Sequence, residues 1–199
     1  MCPKVSVQYK IKAKEKIVES ALFTFSKYGY DRTRMEDIAE EAKVSKGTLY
    51  LYFRNKEELF YAISERNITK LKEQLSTLFT TKKEDLILNA EKFYDNIHKQ
   101  MDQGFEKVFF EIIAESSRNS KLQKMLYEQR IKTFDIIIEY LNLQVKRGFI
   151  KKDTDTKTIA AGLVSLFNGL SISKVLGISE TLNKQTWLDT VRAIFNGIS

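Results

Sequence analysis

Apolar side chains recur at helical spacing along almost the whole chain. The first stripe puts Ile17, Ala21, Phe25 and Tyr28 on one face, and Gly29 follows directly, as a glycine often does where a helix ends. The same periodicity predicts eight further helices joined by short polar links. The approximate ranges of all nine are 12–28, 34–42, 46–52, 56–78, 85–103, 105–116, 122–146, 155–170 and 184–195. The pattern therefore predicts an all-α fold without strands.

The composition agrees with long helices in a globular protein. One proline and eight glycines are too few for the many turns of a strand-rich fold. No run of 18 or more apolar residues predicts a membrane span, and the polar, basic first residues lack the apolar core of a signal peptide. The single cysteine, Cys2, provides neither an internal disulfide nor a metal cluster. We expect a cytoplasmic protein with no metal, no other cofactor and no membrane partner.

Positive charge is concentrated near the start of the chain. Residues 1–56 hold 12 Lys and Arg against 7 Asp and Glu, whereas residues 57–199 hold 21 against 19. Most of the net charge of +7 therefore lies in the first quarter. A basic segment on an otherwise nearly neutral chain favours a polyanionic partner, but many soluble proteins are as basic, so charge alone is weak evidence for nucleic acid.

Residues 34–53 combine two of the predicted helices with a turn of only three residues, Lys43-Val44-Ser45. This is the helix-turn-helix arrangement, in which the second helix lies in the DNA major groove. Gly47 would let the backbone approach DNA closely, while Leu49 and Phe53 would face the core. The remaining residues of this helix suit phosphate oxygens and base edges; they are Lys46, Thr48, Tyr50 and Tyr52.

A longer segment around this motif resembles the TetR family of transcriptional regulators. From Ile17 to Leu59 the chain reads IVESALFTFSKYGYDRTRMEDIAEEAKVSKGTLYLYFRNKEEL. The matching features are the Phe-x-x-x-Gly-Tyr exit of the first helix, Thr33, Asp37-Ile38-Ala39, Val44-Ser45, Lys46-Gly47-Thr48-Leu49-Tyr50, Tyr52-Phe53 and Lys56-Glu57-Glu58-Leu59. The family usually has glycine where this chain has Lys43, at a position that tends to need positive φ. Either the turn is adjusted or Lys43 accepts the strain.

The resemblance implies a homodimer that binds double-stranded DNA through a three-helix domain at residues 1–56. Contacts to DNA, mostly to phosphates, are implied for Thr33, Arg34, Ser45, Lys46, Thr48, Tyr50, Tyr52 and Lys56, and Gly47 completes the predicted site. The basic run Lys10, Lys12, Lys14 and Lys16 resembles an N-terminal arm that reaches the minor groove or the backbone, with solvated surface charge as an equal alternative.

Residues 57–199 are expected to form a domain for ligand binding and dimerisation. Resemblance here is confined to Lys146–Leu170, and it implies that the eighth and ninth helices pair with a partner subunit; intramolecular packing is the alternative. We expect an apolar pocket for a small hydrophobic effector among helices five to eight, although each candidate is also a plausible core residue. The candidates are Phe93, Ile97, Met101, Phe105, Phe109, Ile113, Tyr127, Phe134 and Phe167.

Two functions remain open on this fold. The first is a repressor that a small apolar ligand, with a fatty acid or acyl-CoA as the candidate, releases from a palindromic operator. The second is a DNA-bound structural or protein-interaction factor without an effector. An enzyme is not expected, because the chain lacks a Ser/His/Asp set, a phosphate-binding loop and the dinucleotide-binding glycines.

Overall fold

The computed structural model describes residues 7–78, 80–101 and 104–198, and of residues 7 and 98–101 it describes the backbone alone. Within these ranges the chain forms nine α-helices and no strand, which confirms the all-α prediction. The helices are α1 (Val7–Tyr28), α2 (Met35–Glu41), α3 (Lys46–Tyr52), α4 (Lys56–Thr77), α5 (Asp85–Met101), α6 (Phe105–Ser116), α7 (Ser120–Lys146), α8 (Thr156–Val175) and α9 (Glu180–Ile198).

The helix ends follow local chemistry. Ser45, Asn55 and Asp155 each accept hydrogen bonds from the first backbone N–H groups of α3, α4 and α8, so these helices begin where the sequence predicts. The bounds of α3 and α6 coincide with the predicted ranges, whereas α1 and α9 begin several residues earlier than predicted. Periodicity missed the first turns of α1 because their lysines are exposed and form no apolar stripe.

The described residues divide into two compact units. Unit 1 contains those of Met1–Asn67 and Met101–Leu126, and unit 2 contains those of Ile68–Gln100 and Tyr127–Ser199. The helix-turn-helix segment therefore shares a compact unit with α6, which comes about fifty residues later in the chain. This structural division differs from the predicted functional boundary after residue 56, which stays a prediction.

The core of unit 1 is built from the apolar faces of α1 to α4, α6 and the start of α7. The residues predicted to face inward from α2 and α3 are buried, with Ile38 and Leu49 completely inaccessible to solvent. Tyr28 is an exception: it was placed on the inner face of α1, but it is 47% exposed. Tyr28 is the last residue of α1, and the buried stripe of this helix ends at Phe25, one turn earlier.

The core of unit 2 is organised around Trp187 of α9. Its indole Nε1 donates to the carbonyl oxygen of Ala90 at 2.9 Å, and its ring lies about 6 Å from those of Phe93, Tyr94 and Phe167. Aromatic rings at this spacing bury large apolar areas while keeping favourable edge and offset contacts. The fold of unit 2 thus depends on contacts between α5, α8 and α9.

Helix α8 keeps much of its apolar surface exposed. It has 20 residues, and its most apolar 18-residue window has a mean hydropathy of 1.3 with only 28% of the window buried. By length and composition alone such a helix is long and apolar enough to cross a membrane. The helix holds no unbroken run of 18 apolar residues, and a core helix can pass the same test, so the expectation of no membrane partner stays a prediction.

Candidate nucleic-acid interface

The turn between α2 and α3 is closed by two backbone hydrogen bonds. Lys43 N–H donates to the carbonyl oxygen of Glu40 at 2.9 Å, and Val44 N–H donates to that of Ala39 at 3.0 Å. This pair of backbone hydrogen bonds requires a residue in the left-handed conformation just after the helix. Lys43 fills that position with φ 53°, so it accepts the strain and the turn keeps its standard geometry.

Helix α3 presents a small exposed face. Ser45 Oγ accepts the N–H of Thr48 at 3.1 Å and lies 2.8 Å from the Thr48 hydroxyl. Leu49 is buried, as predicted, and fixes the helix on the core. Gly47 and Tyr50 are exposed, and the Tyr50 side chain at 44% exposure is free to reach a phosphate. These placements suit a recognition helix that approaches DNA along its first two turns.

Tyr52, by contrast, is half-buried and packs against the core of unit 1. Leu51, beside it, is 78% exposed although it was not singled out from the sequence. An exposed leucine at the end of a recognition helix can contact a thymine methyl group. A helix of seven residues has only two turns, which is too short for sequence periodicity to distinguish its inner positions from its outer ones.

Lys46, the first residue of α3, forms an ion pair with Glu36 of α2. The distance between Lys46 Nζ and Glu36 Oε1 is 2.7 Å, and both side chains are largely exposed. The hydrogen bond between them lowers the pKa of Glu36 and raises the pKa of Lys46. Lys46 therefore stays charged, but a phosphate would have to share its ammonium group with a carboxylate.

Two of the residues predicted to contact DNA are engaged inside unit 1. Thr33 is only 2% exposed, and its hydroxyl donates to the carbonyl oxygen of Gly29 at 2.7 Å. Lys56 Nζ donates to the carbonyl oxygens of Tyr30 and Asp31 at 2.7 and 2.9 Å. In this conformation the Thr33 side chain does not reach solvent, and the Lys56 ammonium group is held by the link between α1 and α2.

Arg34 remains available. Its backbone N–H donates to Asp37 Oδ2 at 2.8 Å, which fixes the start of α2 and leaves the guanidinium group exposed. An exposed cation at the start of α2 can bind a phosphate. The link between α1 and α2 that precedes it is constrained, because the Thr33 hydroxyl and the Lys56 ammonium group both donate to its backbone carbonyl oxygens.

The predicted N-terminal arm is helical in the described residues. Lys10, Lys12, Lys14 and Lys16 lie on α1 and are exposed. Lys14 Nζ lies 5.7 Å from the centre of the Phe53 ring, so this part of α1 lies beside the end of α3. Whether these four lysines reach the minor groove or the backbone stays a prediction; the charge of Lys14 lies close to the end of α3.

A polar groove of about 630 Å³ lies on unit 1 beside α2. Its lining combines three cations with three carboxylates and two neutral side chains, namely Lys27, Arg32, Lys43, Asp37, Glu40, Glu41, Thr24 and Tyr28. Charges of both signs do not make an anion site, so the groove adds nothing to the DNA-binding face. Among the described residues no group of three or more His, Cys, Asp or Glu is placed to hold a metal ion.

The residues predicted to line a ligand pocket are divided between the two units. In unit 2, Phe93 and Phe167 meet with ring centres 6.4 Å apart, and both contact Trp187. In unit 1, Phe105 stacks on Phe60 at 6.1 Å and on Phe109 at 5.8 Å.

The other candidates differ in how far they are buried. Ile113 and Tyr127 are 43% and 66% exposed. Phe134 lies under the guanidinium group of Arg130, and Ile97 is half-buried. The side chain of Met101 lies outside the described residues. The contact between Phe93 and Phe167 is one of core packing, and the ligand pocket stays a prediction.

Comparison with known proteins bears on the same segment. Residues 17–63 match the family model described as bacterial regulatory proteins, tetR family. The uncharacterized HTH-type transcriptional regulator YfiR of Bacillus subtilis is 29% identical over 158 residues, which cover 74% of this chain and 71% of YfiR. The negative regulator of the biofilm operon icaADBC, IcaR of Staphylococcus epidermidis, is 25% identical over 187 residues, covering 92% of this chain and 97% of IcaR.

The fold is also similar to a solved regulator. The structure of FadR from Bacillus subtilis in complex with stearoyl-CoA superposes with a TM-score of 0.70, covers 93% of this chain and 99% of FadR, and is 22% identical. At that identity the match supports the helical fold alone. The matched segment 17–63 contains α2, the strained turn and α3, which together form the geometry described above.

Proposed function

Because this chain belongs to the TetR family of bacterial DNA-binding transcriptional regulators, we propose that it is a repressor released from a palindromic operator by a small apolar ligand. The family is one of regulators and not of enzymes. The observation that carries the proposal is the capped, strained turn that presents Lys46 and Tyr50 on an exposed face. A soluble regulator of this type acts where the DNA is, in the cytoplasm.

The proposed homodimer would cover the exposed apolar face at the junction of α8 and α9. Ile172, Val175, Leu176 and Leu182 are 47%, 51%, 75% and 56% exposed. A Cβ at Gly169 would meet nothing within 4 Å, so a helix of a second copy has room to approach closely. A patch of this kind on a soluble protein is typical of an interface, and a second copy accounts for α8 without a membrane.

Dimerisation also supports the palindromic operator. A twofold axis relates two recognition helices, and these must lie about 34–36 Å apart to enter successive major grooves. A ligand that binds only a conformation with another spacing weakens DNA binding by its difference in affinity for the two conformations. Leu176→Glu should therefore abolish both the dimer and operator binding, whereas Leu88→Glu, at a leucine of α5 that is 48% exposed, should abolish neither.

The effector is proposed to be a fatty acid or an acyl-CoA. The aromatic side chains of Phe93, Phe167 and Trp187 provide apolar surface within unit 2. Gln144, in the core of unit 2, is 0% exposed, and neither polar atom of its amide has a partner among the described residues. An apolar site with a polar anchor of this kind would suit an acyl chain with a polar end. The similar fold of FadR, solved with stearoyl-CoA, supports this class of ligand.

A salt-controlled titration tests the proposal. The full chain is titrated onto duplex DNA from around its own gene, with and without palmitate or stearoyl-CoA. Lys46→Ala and Tyr50→Ala should weaken binding, because each removes an exposed group of α3. If both variants bind the DNA with the same affinity as the wild-type protein, the assignment of α3 as the recognition helix is contradicted.

The second candidate function is a factor on the same fold without an effector. The exposure of Ile113 and Tyr127 favours it, because exposed side chains are poor walls for an enclosed pocket. Operator binding that neither lipid changes would support this candidate. Release by stearoyl-CoA at micromolar concentration would exclude it.

A further inference from the structure

The link between α1 and α2 is held from a second side by α6. The backbone N–H of Tyr30 donates to Glu111 Oε2 at 2.5 Å, across 81 positions of sequence. The carbonyl oxygen of the same residue accepts from Lys56 Nζ at 2.7 Å. A carboxylate and an ammonium group thus hold the two peptide groups of Tyr30, and charge-assisted bonds of this kind are stronger than neutral ones.

The Tyr30 side chain completes the fixation of the link. Its ring is 4% exposed and packs between Phe25 and Phe60, with ring centres at 5.1 and 6.4 Å. Lys56 Nζ also lies 4.7 Å from the centre of the ring. The backbone and side chain of one residue are therefore both constrained, four positions before Arg34, the N-cap of α2.

Helix α6 is itself seated on α1 at its other end. Gly104, the N-cap of α6, lies so close to Ser26 that an added Cβ would be 2.4 Å from the serine Cβ. Phe105 then stacks on Phe60. Because this contact fixes one end of α6, the Glu111 carboxylate has little freedom to follow the link if the link moves.

We propose that Glu111 is a positioning residue for operator binding: from α6 it fixes the link that places α2, and through α2 the recognition helix α3. The inference rests on the proposed function, since it concerns the geometry of the same DNA-binding face. Glu111 touches no DNA in this proposal. It lies outside the segment 17–63 that matches the family model, so the match assigns it no role.

A positioning role and a purely stabilising role of Glu111 predict different effects of its removal on DNA binding. Non-specific binding depends mainly on charge and tolerates a displaced helix, whereas specific binding requires base contacts in register. Loosening the link should therefore reduce operator affinity far more than affinity for unrelated DNA. A variant that is merely less folded loses both affinities in proportion to the folded fraction.

The test uses Glu111→Ala in the full-length protein, because alanine favours the helix at this exposed position. The operator probe is the duplex that the wild-type protein selects from a random library, and the second probe is a scrambled duplex of equal length. We expect at least a tenfold loss on the operator and less than a twofold change on the scrambled duplex. Glu111→Gln keeps an acceptor oxygen and should stay within about threefold of wild type.

Glu115→Ala is the matched control, since it removes a carboxylate one turn later that pairs with Arg118 at 3.4 Å. Hydrogen exchange of the Tyr30 amide should accelerate in Glu111→Ala and not in the control. Equal operator affinity for the two alanine variants, or equal losses on both duplexes, would overturn the proposal. If the wild-type protein selects no sequence, the proposed function fails first and the inference falls with it.

Discussion

Replacing Lys43 by glycine should stabilise the protein. Among the described residues Lys43 alone combines a Cβ with a left-handed backbone, at φ 53°. A Cβ there costs about 1–2 kcal/mol, which glycine avoids. Glycine also makes the unfolded chain more flexible, which offsets roughly 0.5–1 kcal/mol of that gain. The expected net gain in the free energy of unfolding is therefore about 0.5–1 kcal/mol.

Lys43→Ala is the matched comparison, because it removes the same charge and keeps the Cβ. For a chain of this size the expected difference between the glycine and alanine variants corresponds to about 1–4 °C in Tm. Thermal unfolding followed by circular dichroism, at one protein concentration and without DNA, measures it. Lys43→Asn should fall between the two, since asparagine tolerates this conformation. Equal midpoints for glycine and alanine would refute the strain argument.

Three further changes test other parts of the structure. Gly104→Ala should lower Tm by much more than Gly148→Ala does. Both glycines have φ near 80°, but only at Gly104 would the added Cβ lie 2.4 Å from another carbon. Equal losses of Tm would contradict the clash. Glu36→Gln should release Lys46 and steepen the salt dependence of DNA binding by roughly one unit of slope, and an unchanged slope would show that the ion pair is already broken on DNA. Gln144→Leu should stabilise unit 2 by about 1–2 kcal/mol in a denaturant titration, because a buried amide without partners is costly; a loss of stability would reveal a partner for that amide.

Most of the fold could be predicted because its signals are local. The stripe of Ile38, Ala39 and Ala42 and the cap at Ser45 specify two helices and the turn between them within a dozen residues. Each signal needs only spacing and side-chain chemistry, and both are visible in the sequence. The start of α1 was missed because exposed lysines form helices without marking them by an apolar stripe.

The candidate site was harder to predict, because the same chemistry serves two purposes. A lysine ammonium group can donate to a phosphate oxygen or to a backbone carbonyl oxygen, and the sequence does not say which is within reach. Lys56 finds the carbonyl oxygens of Tyr30 and Asp31. Glu111 had no local signal at all, because its partner lies 81 positions away. Such contacts become visible only once the chain is folded.

These internal contacts change how the matched segment should be understood. Thr33 and Lys56 fit the family pattern, yet their polar atoms bind the link between α1 and α2. Among the cations predicted to contact DNA, Arg34, Lys46 and the lysines of α1 are exposed in the described residues, and Lys46 is shared with Glu36. If Lys56 keeps its carbonyl partners on DNA, Lys56→Met should leave the salt dependence unchanged and reduce operator affinity by loosening α2. If Lys56 turns to a phosphate instead, the slope should fall by about one.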